Sequence, residues 1–236
     1  MDNKPIIALD FSTKQEVRKF LEQFPSESLN LKIGMELFYQ QGPEMLYELK
    51  TQGHDLFLDI KLHDIPTTVR KAMKGLASLG VDMVNLHAAG GRKMMEAAKE
   101  GLTAGTPAGQ NSPILLAVTQ LTSTTEQMIQ EEQRLACSLE ESVLHYAELA
   151  KASGADGVVC SVLEAEKIKK TIAPTFYRVT PGIRLAKDDT NDQHRVADPK
   201  TARISGASHI VVGRTITQST VPFKTYQTVL KEWKGE

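Results

Sequence analysis

The chain has 236 residues, of which 41% are hydrophobic and 24% charged. That is enough apolar material for a sizeable core, and it excludes a disordered chain. The 28 basic and 29 acidic residues nearly cancel, so no basic stripe points to nucleic acid or to a membrane surface. No apolar run approaches the roughly 20 residues of a membrane-spanning helix. The charged opening Met-Asp-Asn-Lys-Pro does not read as a signal peptide. The two cysteines, Cys137 and Cys160, form no CxxC pair, so a reduced, cytoplasmic setting is the expectation.

Eight short apolar runs alternate with helical patterns. They cover residues 5–10, 29–34, 55–60, 82–87, 113–119, 157–161, 176–180 and 209–213. Most are apolar on both faces, as suits parallel strands covered by helices. Ser12 and Gln15 read as a capping box opening the first helix. Gly42-Pro43 opens the second, and Asp198-Pro199 opens a later one, each with proline at the first helical position. The fifth and longest helix carries Leu135, Leu139, Val143, Tyr146 and Ala150 at helical spacing.

One signature recurs between a helix and the next strand: Gly53-His54-Asp55, Gly80-Val81-Asp82, Gly154-Ala155-Asp156 and Gly206-Ala207-Ser208. Glycine suits the left-handed position that ends a helix. The separations are about one, three and two units of roughly 25 residues, the scale of a βα unit. Eight such units predict an α/β fold, a single (βα)8 TIM barrel filling residues 1–236 as one domain. A doubly wound open sheet is the alternative, but no glycine-rich dinucleotide loop follows the first strand.

In a barrel, chemistry sits at the carboxyl ends of the strands. Read in order, those ends carry Asp10, Lys32, the group Asp59, Lys61 and Asp64, then His87, Thr122, Arg184, and Gly213 with Arg214. Asp59 and Lys61 lie two apart, so an extended strand points both the same way. With Lys32 from the neighbouring strand they make an alternating cation–anion array, and a lysine between carboxylates stays protonated and can serve as a general acid. A buried ion network that merely ties two strands together is the structural alternative. Gly182-Ile183-Arg184 and Gly213-Arg214 end the last two strands, where barrels often hold phosphate. The six histidines show no HxH or HExxH spacing, and no GxSxG is present. The most polar stretch, residues 186–194, follows the seventh strand, where barrels place functional loops.

Together these residues resemble the orotidine 5′-phosphate decarboxylase family in its shorter bacterial form. The resemblance runs through Ala8-Leu9-Asp10, Leu31-Lys32-Ile33-Gly34, the segment from Asp59 through Lys61, His63, Asp64, Ile65 and Pro66 to Thr68-Val69, then Leu86-His87-Ala88-Ala89-Gly90-Gly91, Leu121-Thr122-Ser123, Thr180-Pro181-Gly182-Ile183-Arg184 and Gly213-Arg214. It implies a homodimeric decarboxylase of pyrimidine biosynthesis without metal or organic cofactor. It implies that Lys32, Asp59, Lys61 and Asp64 surround the reacting carboxylate, with Asp64 reaching into the other subunit's site. Lys61 is the implied proton donor. Asp10 and Lys32 are the implied ribose contacts, and Thr68 and Thr122 further ligand contacts. Gln193, Arg184, Gly213 and Arg214 are the implied phosphate grip.

Two other readings stand beside it. Metal-dependent sugar-phosphate decarboxylases and aldolases share a DxKxxD strand, but they carry a metal-binding carboxylate where this chain has Lys32, and a cation cannot replace such a ligand. A non-catalytic nucleotide-binding barrel would not need two carboxylates facing an anionic ligand.

Overall fold

A computed structural model describes residues 1–24, 27–185 and 196–236. Eight parallel strands close on themselves, each paired with its sequence neighbours and the last with the first. They are β1 (Ile6–Ala8), β2 (Asn30–Gly34), β3 (Asp55–Leu62), β4 (Met83–His87), β5 (Ile114–Val118), β6 (Gly157–Val159), β7 (Tyr177–Thr180) and β8 (His209–Val212). Helices return the chain between them: α1 (Lys14–Leu21), α2 (Met35–Gln41), α3 (Pro43–Thr51), α4 (Pro66–Ala77), α5 (Arg92–Gly105), α6 (Leu139–Ala152), α7 (Val162–Thr171), α8 (Pro199–Ile204), α9 (Arg214–Thr217) and α10 (Pro222–Lys234). This is the (βα)8 barrel the spacing predicts. Among the described residues no helix is long and apolar enough to cross a membrane.

Strand alternation sorts the side chains into two cores. Ile7, Leu31, Leu58, Val84, Leu115 and Ile210 point outward and pack under the helices. Ile6, Ala8, Phe57, Met83, Leu116, Val179 and Val211 point inward and fill the barrel. The interior is therefore packed, not a pore. The inward parity carries on past the core towards the carboxyl ends of the strands, to Asp10, Lys32, Asp59 and Gln120.

The glycine signature does more than end helices. Gly53, Gly80, Gly154 and Gly206 all adopt positive φ, between 73° and 86°. The residues after each glycine supply a side chain that accepts a backbone N–H from the preceding strand. His54 Nδ1 accepts from Leu29, Asp82 from Leu56, Asp156 from Leu115 and Ser208 Oγ from Arg178. Lys50 and Lys99 pair with Asp82 and Asp156, tying the helix ahead into the same joint. These joints lie at the end of the barrel opposite Asp10, Lys32 and Asp59.

Four local expectations are corrected. The box opening α1 is Thr13 with Glu16, not Ser12 with Gln15; the Ser12 hydroxyl instead donates to Glu36. Gly42-Pro43 opens α3, because α2 follows directly on β2. Leu135 lies outside α6, which starts at Leu139 behind the box of Ser138 and Glu141. Leu135 N–H is already spent on Ile129 O, 2.9 Å away. At 14 residues α6 equals α5 in length, so it is not the single longest helix. Asp198 does cap α8 ahead of Pro199.

Candidate active site

A cavity of about 440 Å³ opens at the carboxyl ends of the strands. Asp10, Lys32, Asp59, Lys61, Thr122, Arg184, Gly213 and Arg214 all line it. Asp10 follows β1, Lys32 is on β2, Asp59 and Lys61 are on β3, Thr122 follows β5, Arg184 follows β7, and Gly213 and Arg214 join β8 to α9. Residues up to 204 positions apart in sequence thus meet at one mouth, and the barrel's closure brings them there.

The charges form a chain. Lys32 Nζ lies 3.2 Å from Asp10 Oδ1 and 3.2 Å from Asp59 Oδ2. Lys61 Nζ lies 2.7 Å from the other oxygen, Asp59 Oδ1. Asp59 and Lys32 are each only 12% exposed at the side chain, whereas Asp10 is 60% exposed. Burial works against ionising Asp59, but the Lys32 and Lys61 ammoniums beside it overcome that, so its carboxyl titrates below the ordinary carboxylate range. Burial likewise works against the Lys32 ammonium, and Asp59 and Asp10 raise it above the ordinary lysine value. Both residues are therefore charged at neutral pH.

The expectation that Asp59 and Lys61 share one extended run is corrected. Lys61 has φ +46°, the left-handed region. The register with β4 shifts between Leu58 and Leu62, which makes a bulge there. The two head groups still meet, because the long lysine side chain spans the kink.

Asp64 and Thr68 do not line the cavity. Asp64 is exposed, and its carboxylate accepts the N–H of Ile65 at 2.6 Å. Thr68 is exposed in the first turns of α4. Gln193 lies outside the described residues. His87, at the end of β4, has its imidazole pushed down by burial, and by His63 and Lys61 against the pull of Asp59; its ring stands 5.7 Å from that of His63.

Two groups escape the sequence reading. Gln120 lines the cavity beside Thr122, and its amide donates to Ser142 Oγ at 3.0 Å and to Gln133 Oε1 at 3.2 Å. Asn85 on β4 is fully buried and bonds both Asp59 and Lys61. An asparagine inside the run Met-Val-Asn-Leu-His carries a readable signal, since a buried amide needs partners. Among the described residues no three His, Cys, Asp or Glu side chains gather as a metal-binding group.

A closed parallel barrel with a charged cavity at its strand ends defines a barrel enzyme. The chain belongs to the Orotidine 5′-phosphate decarboxylase / HUMPS family, whose model matches residues 3–229. It is 60% identical over 233 residues to an orotidine 5′-phosphate decarboxylase of Listeria monocytogenes serovar 1/2a, covering 99% of this chain and 100% of that one. An orotidine 5′-phosphate decarboxylase of Geobacillus sp. (strain WCH70) is 57% identical over 236 residues, covering 100% and 99%. The crystal structure of orotidine 5′-phosphate decarboxylase from Lactobacillus acidophilus superposes with a TM-score of 0.89 at 44% identity, covering 98% of this chain and 99% of that one.

Proposed function

We propose that this protein decarboxylates orotidine 5′-phosphate to UMP in pyrimidine biosynthesis. The observation that carries the reading is the chain of charges Asp10, Lys32, Asp59 and Lys61 inside the cavity. The names of full-length relatives at 57% and 60% identity support it.

The chemistry explains why such an array is useful. The bond from C6 of the pyrimidine to its carboxylate breaks, and the electron pair stays on C6. The ring delocalises that pair poorly, so the site must stabilise a localised negative charge. The Lys61 ammonium does this and then gives C6 its proton, leaving CO₂, UMP and a neutral lysine that solvent reprotonates. Ionised Asp59 faces the substrate carboxylate, and their repulsion falls as CO₂ leaves. Lys32 keeps Asp59 ionised and, with Asp10, holds the ribose.

Arg184, Gly213 and Arg214 take the phosphate together with Gln193. Thr122, in the cavity lining after β5, is a further ligand contact. The phosphate is remote from the breaking bond, so gripping it supplies binding energy that orders the site.

The active unit in this reading is a homodimer with shared sites. Asp64 and Thr68 are exposed and do not line their own cavity, and Ile65 beside Asp64 is an exposed apolar side chain. That arrangement supports a role for both in a second chain's site, with the partner's Asp64 completing the array around the carboxylate.

The test is direct. Purified protein should release CO₂ from orotidine 5′-phosphate and accumulate UMP in equal amount. Absence of both products, with a folded protein, would remove the assignment.

A further inference from the structure

Where β3 bulges, three of its residues face one residue of β4. Leu58 pairs with Val84 and Leu62 with Leu86, so Asp59, Ile60 and Lys61 share Asn85. The bulge takes Lys61 out of the ladder and into left-handed backbone, φ +46°. A buried N–H left without an acceptor costs about 1–3 kcal/mol. The Asn85 side chain meets that need: its Oδ1 accepts the Lys61 N–H at 2.8 Å. Its Nδ2 donates to Asp59 Oδ1 at 2.7 Å, the same oxygen that receives the Lys61 ammonium. Asn85 is 0% exposed.

Only one amide orientation satisfies both contacts. Reversed, the NH₂ would oppose the Lys61 N–H, and the amide oxygen would oppose the carboxylate. At neutral pH no other residue type of this size carries a neutral acceptor and a neutral donor on two separate atoms. Aspartate would set a second carboxylate against Asp59, and leucine would supply neither bond.

We propose that Asn85 is a positioning residue for decarboxylation: it locks the bulge so that the Lys61 ammonium and the Asp59 carboxylate meet at one point. The proposal rests on the reading above, in which those two groups face the substrate carboxylate. Asn85 acts through them, fixing Lys61 by its backbone and Asp59 by its charge.

The variants Asn85→Ala and Asn85→Asp test this. Misplacing a reacting group by about 1 Å can cost roughly 10²-fold in rate. Asn85→Ala should therefore lower kcat by about 10²-fold, while KM and the affinity for UMP each move by less than about threefold. Asn85→Asp is nearly isosteric and keeps the acceptor, so it guards against a folding failure of the alanine variant. The Asn85 side chain bonds Asp59 and the Lys61 backbone on β3; Lys32 on β2 pairs with Asp59, and His87, two residues along β4, interacts with His63, Lys61 and Asp59; the neighbour of Asn85 on β5 is Leu116. The aspartate should regain activity as pH falls, because its protonated form donates to Asp59 as the amide does. Parental kcat in Asn85→Ala, or a pH profile in Asn85→Asp parallel to the parent's, would overturn the proposal.

A second readout needs no turnover. In protein labelled with ¹⁵N-lysine, the Lys61 amide signal is assigned by its absence in Lys61→Arg. Its protection from hydrogen exchange should fall by at least about tenfold in Asn85→Ala. If the parent releases no CO₂ from orotidine 5′-phosphate, the proposed function falls, and this signal alone judges Asn85. Unchanged protection would then reject the lock.

Discussion

Lys61 Nζ reaches Asp59 Oδ1 at 2.7 Å across a kinked backbone. Two residues apart, they form the shortest of the three ion pairs that link Asp10, Lys32, Asp59 and Lys61. The lysine stands beside a carboxylate whose ionisation burial opposes, so its charge has a task in the resting protein as well as in the reaction. Lys61→Ala removes a proton donor and a charge together. General acids contribute typically about 10²–10⁴-fold, and the electrostatic loss adds to this. We expect kcat to fall by more than about 10³-fold while the protein still melts cooperatively and still binds UMP. Near-parental kcat would take Lys61 out of the chemistry.

The same barrel depends on a close helix contact. Gly101 and Gly105 lie one turn apart on α5, and Arg70 and Lys74 lie one turn apart on α4. A Cβ at Gly101 would stand 2.3 Å from the Arg70 carbonyl oxygen, and one at Gly105 would stand 2.1 Å from that of Lys74. Backbone cannot step aside as a flexible side chain can. Alanine improves helix propensity by about 1 kcal/mol over glycine, whereas overpacking typically costs about 1–3 kcal/mol. Gly101→Ala should therefore lower stability in urea denaturation. A higher urea midpoint would mean that α4 and α5 separate without penalty.

Acid should loosen the joint between α1 and α3. Arg18 Nε and Nη2 donate to the two Glu48 oxygens at 2.7 and 3.0 Å, and Lys14 also pairs with Glu48. The Arg18 hydrogen bonds lead in pulling the Glu48 carboxyl down from 4.5 to about 2. A depressed carboxyl stabilises the fold above its unfolded value, and that contribution fades as pH falls through its folded value. The stability gap between the parent and Glu48→Gln should thus be full at pH 7 and shrink from about pH 4.5 towards 2. The pair is partly solvated, so added salt should narrow the gap as well. Urea midpoints at pH 7, 4 and 2.5 give the comparison; a gap that widens in acid would contradict it.

Much of the site was legible because strand alternation is simple. Asp10 and Asp59 sit at the next inward position beyond an apolar one, Ala8 and Phe57, and Lys32 at the next inward position beyond the buried Asn30. Arg184 and Arg214 were legible from their glycines at the strand ends. The kink at Lys61 was not legible, since no glycine marks it and the partner that holds it is 24 residues away on another strand. Leu135 fitted the helical period of α6, yet the Ser138 cap overruled it. Periodicity reports which face is apolar, while caps and long-range bonds decide where the backbone turns.

Arg214 should separate the phosphate from the rest of the substrate. It lines the same cavity as Lys61 but belongs to the β8 end. A guanidinium bonds phosphate strongly and with fixed geometry. Arg214→Ala should lower kcat/KM for orotidine 5′-phosphate by about 10²-fold, and that for bare orotidine by less than about threefold. Equal losses on both substrates would place Arg214 elsewhere in the reaction.

The shared site predicts recovery between two damaged chains. Asp64 lies just past the strand, beside Ile65 and Pro66, where the chain turns into α4. Its carboxylate holds the N–H of Ile65 and is exposed, so within one chain it leaves the Lys61 cavity to Asp59 and Lys32. In a two-fold dimer each site would combine Lys61 of one protomer with the partner's Asp64. Lys61→Ala and Asp64→Ala should each impair CO₂ release when made alone. Mixed dimers of the two variants would hold one doubly damaged site and one intact site. With random pairing about half the dimers are mixed, so roughly a quarter of all sites should recover parental activity. Differently tagged chains, co-expressed and purified through both tags, isolate the mixed species, in which half the sites should be active. If that species shows no more activity than the sum of the two variants, Asp64 serves its own chain or none.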